Sequence, residues 1–459
     1  MKSSRDSYVS TTNACKLCKP MGACLAFRGI EGAVPFLHGS QGCATYMRRY
    51  IISHFREPMD IASSSLGEKH AVYGGEANLI LGLKNVLSKF SPRLIGVATT
   101  CLTETIGDDV PMILRKFHRE SRIEHAGPDL PLLVSVSTPS YSGTHMEGFH
   151  AAIKAVTDQV CIALPGSAAQ DRINLLPGFL SPADIRYIKE ILVDFGIHAV
   201  VLPDISETLD GPALEDYEKI PSGGTPIQDI RSMGKACGTI QFGRTLGYED
   251  TAGSRLHERF NVPLHALGMP VGLRETDRFF SLLEDISGLP TPRKHALERG
   301  RLIDAFVDAH KYLFGKRAVI YGEEDLVVGL TSFLAETGIR PVICASGGRS
   351  GRFREAVEQV TRDILAESPM VCDGVDFHEI AGEAEKLAPD LLVGHSKGYH
   401  LSSRWKIPLV RVGFPIHDRF GGQRTLHVGY RGTQSLLDGI VNAFIGSKQE
   451  DSPVGYGYM

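Results

Sequence analysis

The sequence predicts an α/β protein made of Rossmann-like, doubly wound domains with parallel sheets, and three observations carry that prediction. A short apolar run, then Gly, Ser, Thr or Pro, then a helical stretch recurs along the chain. At 459 residues the chain is too long for one core, and about three domains suit its length. Two stretches rich in Pro, Gly and polar residues interrupt it near 163–184 and 286–300. The expected units are residues 1–165, which carry a cluster of cysteines, 166–295, and 296–459 with a C-terminal tail.

The repeated units follow in order. "AVPFL" leads into "HGSQGC" (38–43), and "RLIGVATTCLTETIGDD" and "LPLLVSVSTPSYSGTH" complete the first group. "HAVVLPDISETLDG" belongs to the second, and "RAVIYGEEDLVVGLTSFLAETG", "PVICASGG", "DLLVGHSKGYH" and "PLVRVGFPIHD" to the third. Continuous apolar runs of this length read as strands buried on both faces, with helices as the crossovers. About eight or more such units exceed one sheet of ordinary size.

Composition narrows the function classes. Hydrophobic content of 42% and charged content of 22% are those of a globular protein. The net charge of -4, with both signs interspersed, gives no basic face for nucleic acid or an acidic membrane. No run of apolar residues is long enough to span a bilayer, and "MKSSRDSYVSTTNACKLCKP" lacks the apolar middle of a signal peptide. The expectation is a cytoplasmic protein with no nucleic-acid or membrane partner.

Nine cysteines are too few for a disulfide scaffold. Cys15, Cys18, Cys24, Cys43 and Cys101 crowd the first quarter, as a soft-metal or iron–sulfur site requires. Cys161, Cys237, Cys344 and Cys372 are scattered and read as packing thiols. Cys43 and Cys101 each fall just past a strand, and so does the loop bearing Ser140, Ser142 and Thr144. Ligands of open α/β sheets gather outside those strand ends, so the three loops should converge. A helix start there would lower a thiol pKa. Cys18 precedes a helix announced by Pro20. Thiols from separated segments suit an iron–sulfur cluster better than zinc, which prefers compact paired spacings. On residue chemistry alone, three buried structural thiols remain an equal alternative.

The other motifs carry less. "CKLC" follows a polar tail rather than a strand, which argues against a thioredoxin-like dithiol and makes Cys15 a neighbour rather than a ligand. There is no G-x-x-x-x-G-K-[ST] and no G-x-G-x-x-G between strand and helix, so nucleotide hydrolysis belongs to another polypeptide. The carboxylates of "GEEDL" (322–326) read as compensation of a helix dipole. His395, His400, His417 and His427 read as hydrogen-bonded loop residues. No nucleophile–base pair stands out.

"CKPMGA", "HGSQGCATYMRRYIISHFREP", "SSSLGEKHAVYGGEANL" and "TTCLTETIGDDV" strongly resemble the β-type subunit of nitrogenase component 1 and its relatives. "TPSYSGTH" and "RVGFPIHDRFGGQRTLHVGYRGT" extend the resemblance, in order, over nearly the whole chain, most densely over 14–150. The resemblance implies three Rossmann-like domains per subunit and a heterotetramer with an α-type (NifD/NifE-like) partner. It also implies an iron–sulfur cluster at the α–β interface, either 4Fe–4S or a P-cluster-like 8Fe–7S group, reduced by an ATP-hydrolysing iron protein. Carried over by motif, this chain's ligands would be Cys18, Cys43 and Cys101. Thr144 stands where the family's β subunit has a serine oxygen, making it the fourth cofactor-binding position. The catalytic iron-containing cofactor of the M-cluster type, or its precursor, is expected mainly on the α-type partner, and no catalytic residue on this chain. Within the family "ACKLCKPMGA", "RRYIISHFREP" and "VGYRGT" look most like the NifN-type scaffold for cofactor assembly. The alternative is the electron-relaying β-like subunit of a reductase, either a nitrogenase or a methylthio-alkane reductase cleaving C–S bonds. Retention of all three cysteines supports that alternative, since many NifN-type chains keep only the one in "HGSQGC".

Overall fold

The computed structural model describes residues 13–124, 130–163, 170–216, 218–247 and 249–452. Its strands form three sheets in which every pairing is parallel. The first joins β1 (Ala33–His38), β2 (Ala62–Ser63), β3 (Leu94–Thr99) and β4 (Leu132–Val136) in the order β2-β1-β3-β4. The second has β5 (Gln170–Leu176), β6 (Ala199–Val201), β7 (Ala236–Phe242) and β8 (Leu264–Leu267) in the order β6-β5-β7-β8. In the third, β9 (Arg317–Gly322), β10 (Arg340–Ser346), β11 (Met370–Cys372), β12 (Leu391–Gly394) and β13 (Leu409–Arg411) lie in the order β11-β10-β9-β12-β13. Each order runs outward from an inner pair in both directions, which is the doubly wound arrangement.

Local chemistry explains where the elements begin. β1 and β3 are uninterrupted buried runs, as strands covered on both faces must be. The helices His145–Val160, Pro182–Asp194 and Phe377–Leu387 each open on a capping box, made by Thr144 with Glu147, Ser181 with Asp184, and Asp376 with Glu379. Helix Lys19–Arg28 is buried on all sides and crosses helix His145–Val160 at very short range. A β-carbon at Gly22 would lie 1.6 Å from His145 O, and one at Gly148 would lie 1.8 Å from Lys19 O, so only glycine permits the crossing.

The three sheets do not stand apart. Ala14 bridges to Asp376 and Ile30 to Thr225. Asp184 accepts from the backbone N–H groups of His427 and Val428 at 2.7 and 3.2 Å and lies 3.0 Å from His427 Nδ1. No helix among the described residues is long and apolar enough to cross a membrane.

Candidate functional site

The expected thiols sit where strands give way to helices. Cys43 lies in the first turn of helix Gln41–Phe55, after β1, and Cys101 is the first residue of helix Cys101–Ile106, after β3. β1 and β3 are the inner pair of their sheet, so their loops open the crevice at which the strand order reverses. Cys18 is the N-cap of helix Lys19–Arg28, with Pro20 in the first turn as expected.

Gly39 sets the distance between the first two loops. A β-carbon there would lie 2.2 Å from Thr100 Oγ1, inside the loop that delivers Cys101. The hydroxyls of Thr100 and Thr103 both donate to His38 O, at 3.1 and 3.0 Å, which ties that loop to the end of β1. His38 itself is clamped between Ser64 Oγ at 2.9 Å and Asp108 Oδ2 at 3.0 Å. Gly42 is different: a β-carbon there would meet only Ser40 Oγ, at 3.8 Å. Of the two glycines, one is required by protein packing and the other has room for a β-carbon.

The loop after β4 closes the third side. Ser140 N donates to Cys101 Sγ at 3.2 Å, and Ser140 Oγ accepts from Lys19 N at 3.3 Å, next to Cys18. Burial raises the Cys18 thiol, a hydrogen bond with Ser140 opposes the rise, and the charges of Cys43 and Cys101 add to it. Cys43 and Cys101 therefore both lie within electrostatic reach of Cys18. Cys43, half-buried, accepts from Ser40 Oγ at 3.4 Å, and Cys101 is exposed. Burial, the Tyr50 hydroxyl and the Cys18 charge all push the half-exposed Tyr46 upward.

Thr144 is the N-cap of helix His145–Val160. Its hydroxyl donates to Glu147 Oε2 and accepts from Met146 N at 3.1 Å, and its own N–H donates to Glu147 Oε2 at 2.8 Å. That is a complete helix cap. The loop oxygen bonded beside Cys18 and Cys101 is Ser140, which the loop pattern brings to the same strand end without ranking it above Thr144.

Cys15 diverges from Cys18. It is buried in the apolar cluster of the third sheet, 3.8 Å from His395 Nε2, and burial pushes its thiol up to about 12, with the Glu323 charge adding to the rise. Lys397, unremarked in the sequence, donates to Ala14 O and Lys16 O at 2.9 and 3.2 Å. Burial lowers its ammonium, while Cys15 and Cys18 hold it up, so a cation faces the thiol site from the third sheet. Of the scattered cysteines, Cys161 and Cys344 are buried and Cys372 is half-buried, but Cys237 is exposed, unlike a packing thiol. His427 is a hydrogen-bonded loop residue as expected, whereas His400, also hydrogen-bonded, lies in the first turn of helix Tyr399–Trp405 rather than in a loop. The "GEEDL" carboxylates do more than face a helix dipole: Glu323 meets His145 Nε2 at 3.0 Å, and Asp325 accepts from Thr245 N at 2.8 Å.

Three soft donors around a partly open crevice suit a bulky iron–sulfur group shared with a second surface. No three His, Cys, Asp or Glu side chains among the described residues gather closely enough to hold a single metal ion. A multi-iron cluster spreads its thiolates over different irons and accepts the wider spacing.

Comparison with known proteins decides the family. The family model described as Nitrogenase component 1 type Oxidoreductase matches residues 18–445. The chain belongs to that family. It is a β-type subunit: it is 38% identical over 433 residues to the nitrogenase molybdenum-iron protein beta chain of Methanothermobacter thermautotrophicus, covering 93% of each chain. It is also 33% identical over 445 residues to the nitrogenase iron-molybdenum cofactor biosynthesis protein NifN of Bradyrhizobium diazoefficiens, covering 96% of this chain and 90% of that one. The solved structure "Nitrogenase Cp1 at pH 6.5" superposes with a TM-score of 0.94 at 32% identity, over 100% of this chain and 99% of that one. The nitrogenase component 1 fold expected from the motifs is thus the fold of this chain.

Proposed function

We propose that this chain is the electron-relaying β-type subunit of a cytoplasmic nitrogenase-like reductase, with units 1–165, 166–295 and 296–459. Cys18, Cys43 and Cys101 hold its share of an iron–sulfur cluster, 4Fe–4S or P-cluster-like 8Fe–7S, at the boundary with an α-type partner. The observation that supports the reading is the placement of three partly open thiols at three helix starts, with Cys43 and Cys101 both in electrostatic reach of Cys18. Bound there, the cluster supplies electron storage and transfer, fed by an ATP-hydrolysing iron protein, while the partner carries the iron-containing catalytic cofactor. This chain's own part is to present thiolates at positive helix ends and to donate hydrogen bonds to sulfur from Ser40 and Ser140. Thr144, through its cap, holds the loop that carries Ser140.

The second reading is the NifN-type scaffold, favoured by the 33% identity to a cofactor-biosynthesis protein over 96% of this chain. Anaerobic purification of the complex, with iron content and reductant-dependent turnover on N₂, acetylene and methylated sulfides, separates the two. Many turnovers per complex are expected. Release of a cofactor that activates an empty nitrogenase, without turnover, would replace the relay by the scaffold.

A further inference from the structure

A second crevice opens where strand ends of all three sheets meet. It is a cavity of about 750 Å³, reached by His145 after β4, by Gln241 near the end of β7, and by Glu323, Glu324 and Asp325 after β9. Open α/β sheets take their ligands outside the carboxyl ends of strands. Three polar side-chain atoms of its wall are buried with no hydrogen-bond partner among the described residues: Glu324 Oε2, His145 Nδ1 and Gln241 Nε2. Their residues are 7%, 5% and 3% exposed, respectively. An unpaired buried polar atom destabilises a fold, so three of them facing one cavity point to a ligand that pairs them.

The other end of each side chain fixes what the free atom offers. Glu324 Oε1 accepts from Ser350 N at 3.1 Å, which leaves Oε2 as an acceptor. Gln241 Oε1 accepts from Gly253 N at 3.2 Å, so the free Nε2 is a donor. His145 Nε2 lies 3.0 Å from Glu323 Oε1; donating there, the imidazole presents Nδ1 as an acceptor.

Charge selects the ligand class. The cations of the wall stay at the rim or are paired: Lys16 and Arg352 are exposed, and Lys154 meets Asp158 and Asp250 at 3.1 and 3.2 Å. The buried part of the wall includes the carboxyl groups of Glu323, Glu324 and Asp325. Burial raises Glu324 and Asp325 above the usual carboxylate range, which disfavours their charged forms, and a cation bound beside them would restore those forms. A bare metal ion lacks its ligand set among the described residues.

We propose that this cavity binds a small organic cation, a primary ammonium that donates to Glu324 and His145 on a molecule whose carbonyl or hydroxyl oxygen accepts from Gln241. A polycarboxylate or an anionic cluster has the wrong charge for it. The assignment is independent of the cluster, because it uses none of the three thiols.

The test is calorimetric titration of the intact complex with 6-aminohexanamide, hexylamine, hexanamide and adipate. The aminoamide binds with a dissociation constant of ~1 mM or tighter, hexylamine binds more weakly, and the other two give no heat. Glu324→Gln keeps the Ser350 contact and lowers the aminoamide affinity by ~10-fold or more. Gln241→Leu, which leaves the carboxylates in place, removes the advantage of the aminoamide over hexylamine and decides the matter if Glu324→Gln does not assemble. No heat from either ammonium compound, a preference for adipate, or affinities unchanged in both variants would overturn the proposal.

Discussion

The crevice between the ends of β1 and β3 and the cavity beyond β4, β7 and β9 share one plan. Each lies outside the carboxyl ends of parallel strands, and each is entered by the starts of the following helices. Their contents are opposed. The first presents Cys18, Cys43 and Cys101 with serine donors on sulfur, whereas the second presents Glu323, Glu324 and Asp325 with a histidine. Topology places a binding crevice, and the few residues that end each strand choose between soft and hard chemistry.

The comparison breaks most sharply if the thiols go. Cys43→Ala and Cys101→Ala should each lower bound iron in the complex by more than the ~10–100-fold in affinity that loss of an outer partner of a metal ligand costs. Glu324→Gln should leave iron untouched. Iron content and the EPR spectrum are the readouts, and unchanged values in the cysteine variants would return both residues to the packing class. Gly42→Ala adds a finer point, since its β-carbon would make only an ordinary contact with Ser40 Oγ, at 3.8 Å: the variant should fold normally and lose iron.

Next in size is Gly39→Ala, whose β-carbon would stand 2.2 Å from Thr100 Oγ1. Overpacking of this kind costs ~1–3 kcal/mol, read as a lowered unfolding midpoint, and Thr100→Ala should restore part of it. Gly148→Ala, facing backbone rather than a side chain, has no such rescue.

These glycines show how far the sequence could be read. Apolar runs and turn residues located the strands, and strand ends located Cys43 and Cys101, because both are local patterns. "HGSQGC" read as a hexapeptide could not tell that Gly39 answers to Thr100, sixty-one residues later, while Gly42 would meet only the nearby Ser40 among the described residues. Cys15 and Cys18 are three residues apart, yet one is buried in the third sheet and the other faces the crevice, a divergence set by tertiary packing. The cavity was invisible for the same reason: its wall draws on all three sheets, and "GEEDL" alone suggests only a helix dipole.

Acid tests the far end of the helix that carries Cys43. His54, from the helix that carries Cys43, accepts from Ile416 N at 2.9 Å between the rings of Phe55 and Phe414. Burial pushes it down to about 3. The unfolded chain takes up this proton near pH ~6.5, so the stability contributed by neutral His54 is complete above that value and falls as pH drops toward 3, by up to ~1.4 kcal/mol per unit. Denaturant midpoints at neutral and mildly acidic pH should show the loss, and His54→Asn, which keeps an acceptor for Ile416, should shallow it. An identical slope in parent and variant would remove His54 from the acid response.

Thr144 touches both regions and gives the most delicate contrast. Its hydroxyl caps the helix that brings His145 to the cavity, and its loop brings Ser140 to the thiols. As a cap alone, Thr144→Val should cost ~0.5–2 kcal/mol and Thr144→Ser almost nothing, with the midpoint potential of the cluster unchanged in both. If the side-chain oxygen instead joins the cluster, it must leave Glu147, and the potential should then move in Thr144→Val and be kept by Thr144→Ser. Redox titration followed by EPR distinguishes the two outcomes, because loss of a cap shifts stability without shifting potential, whereas loss of a ligand shifts both.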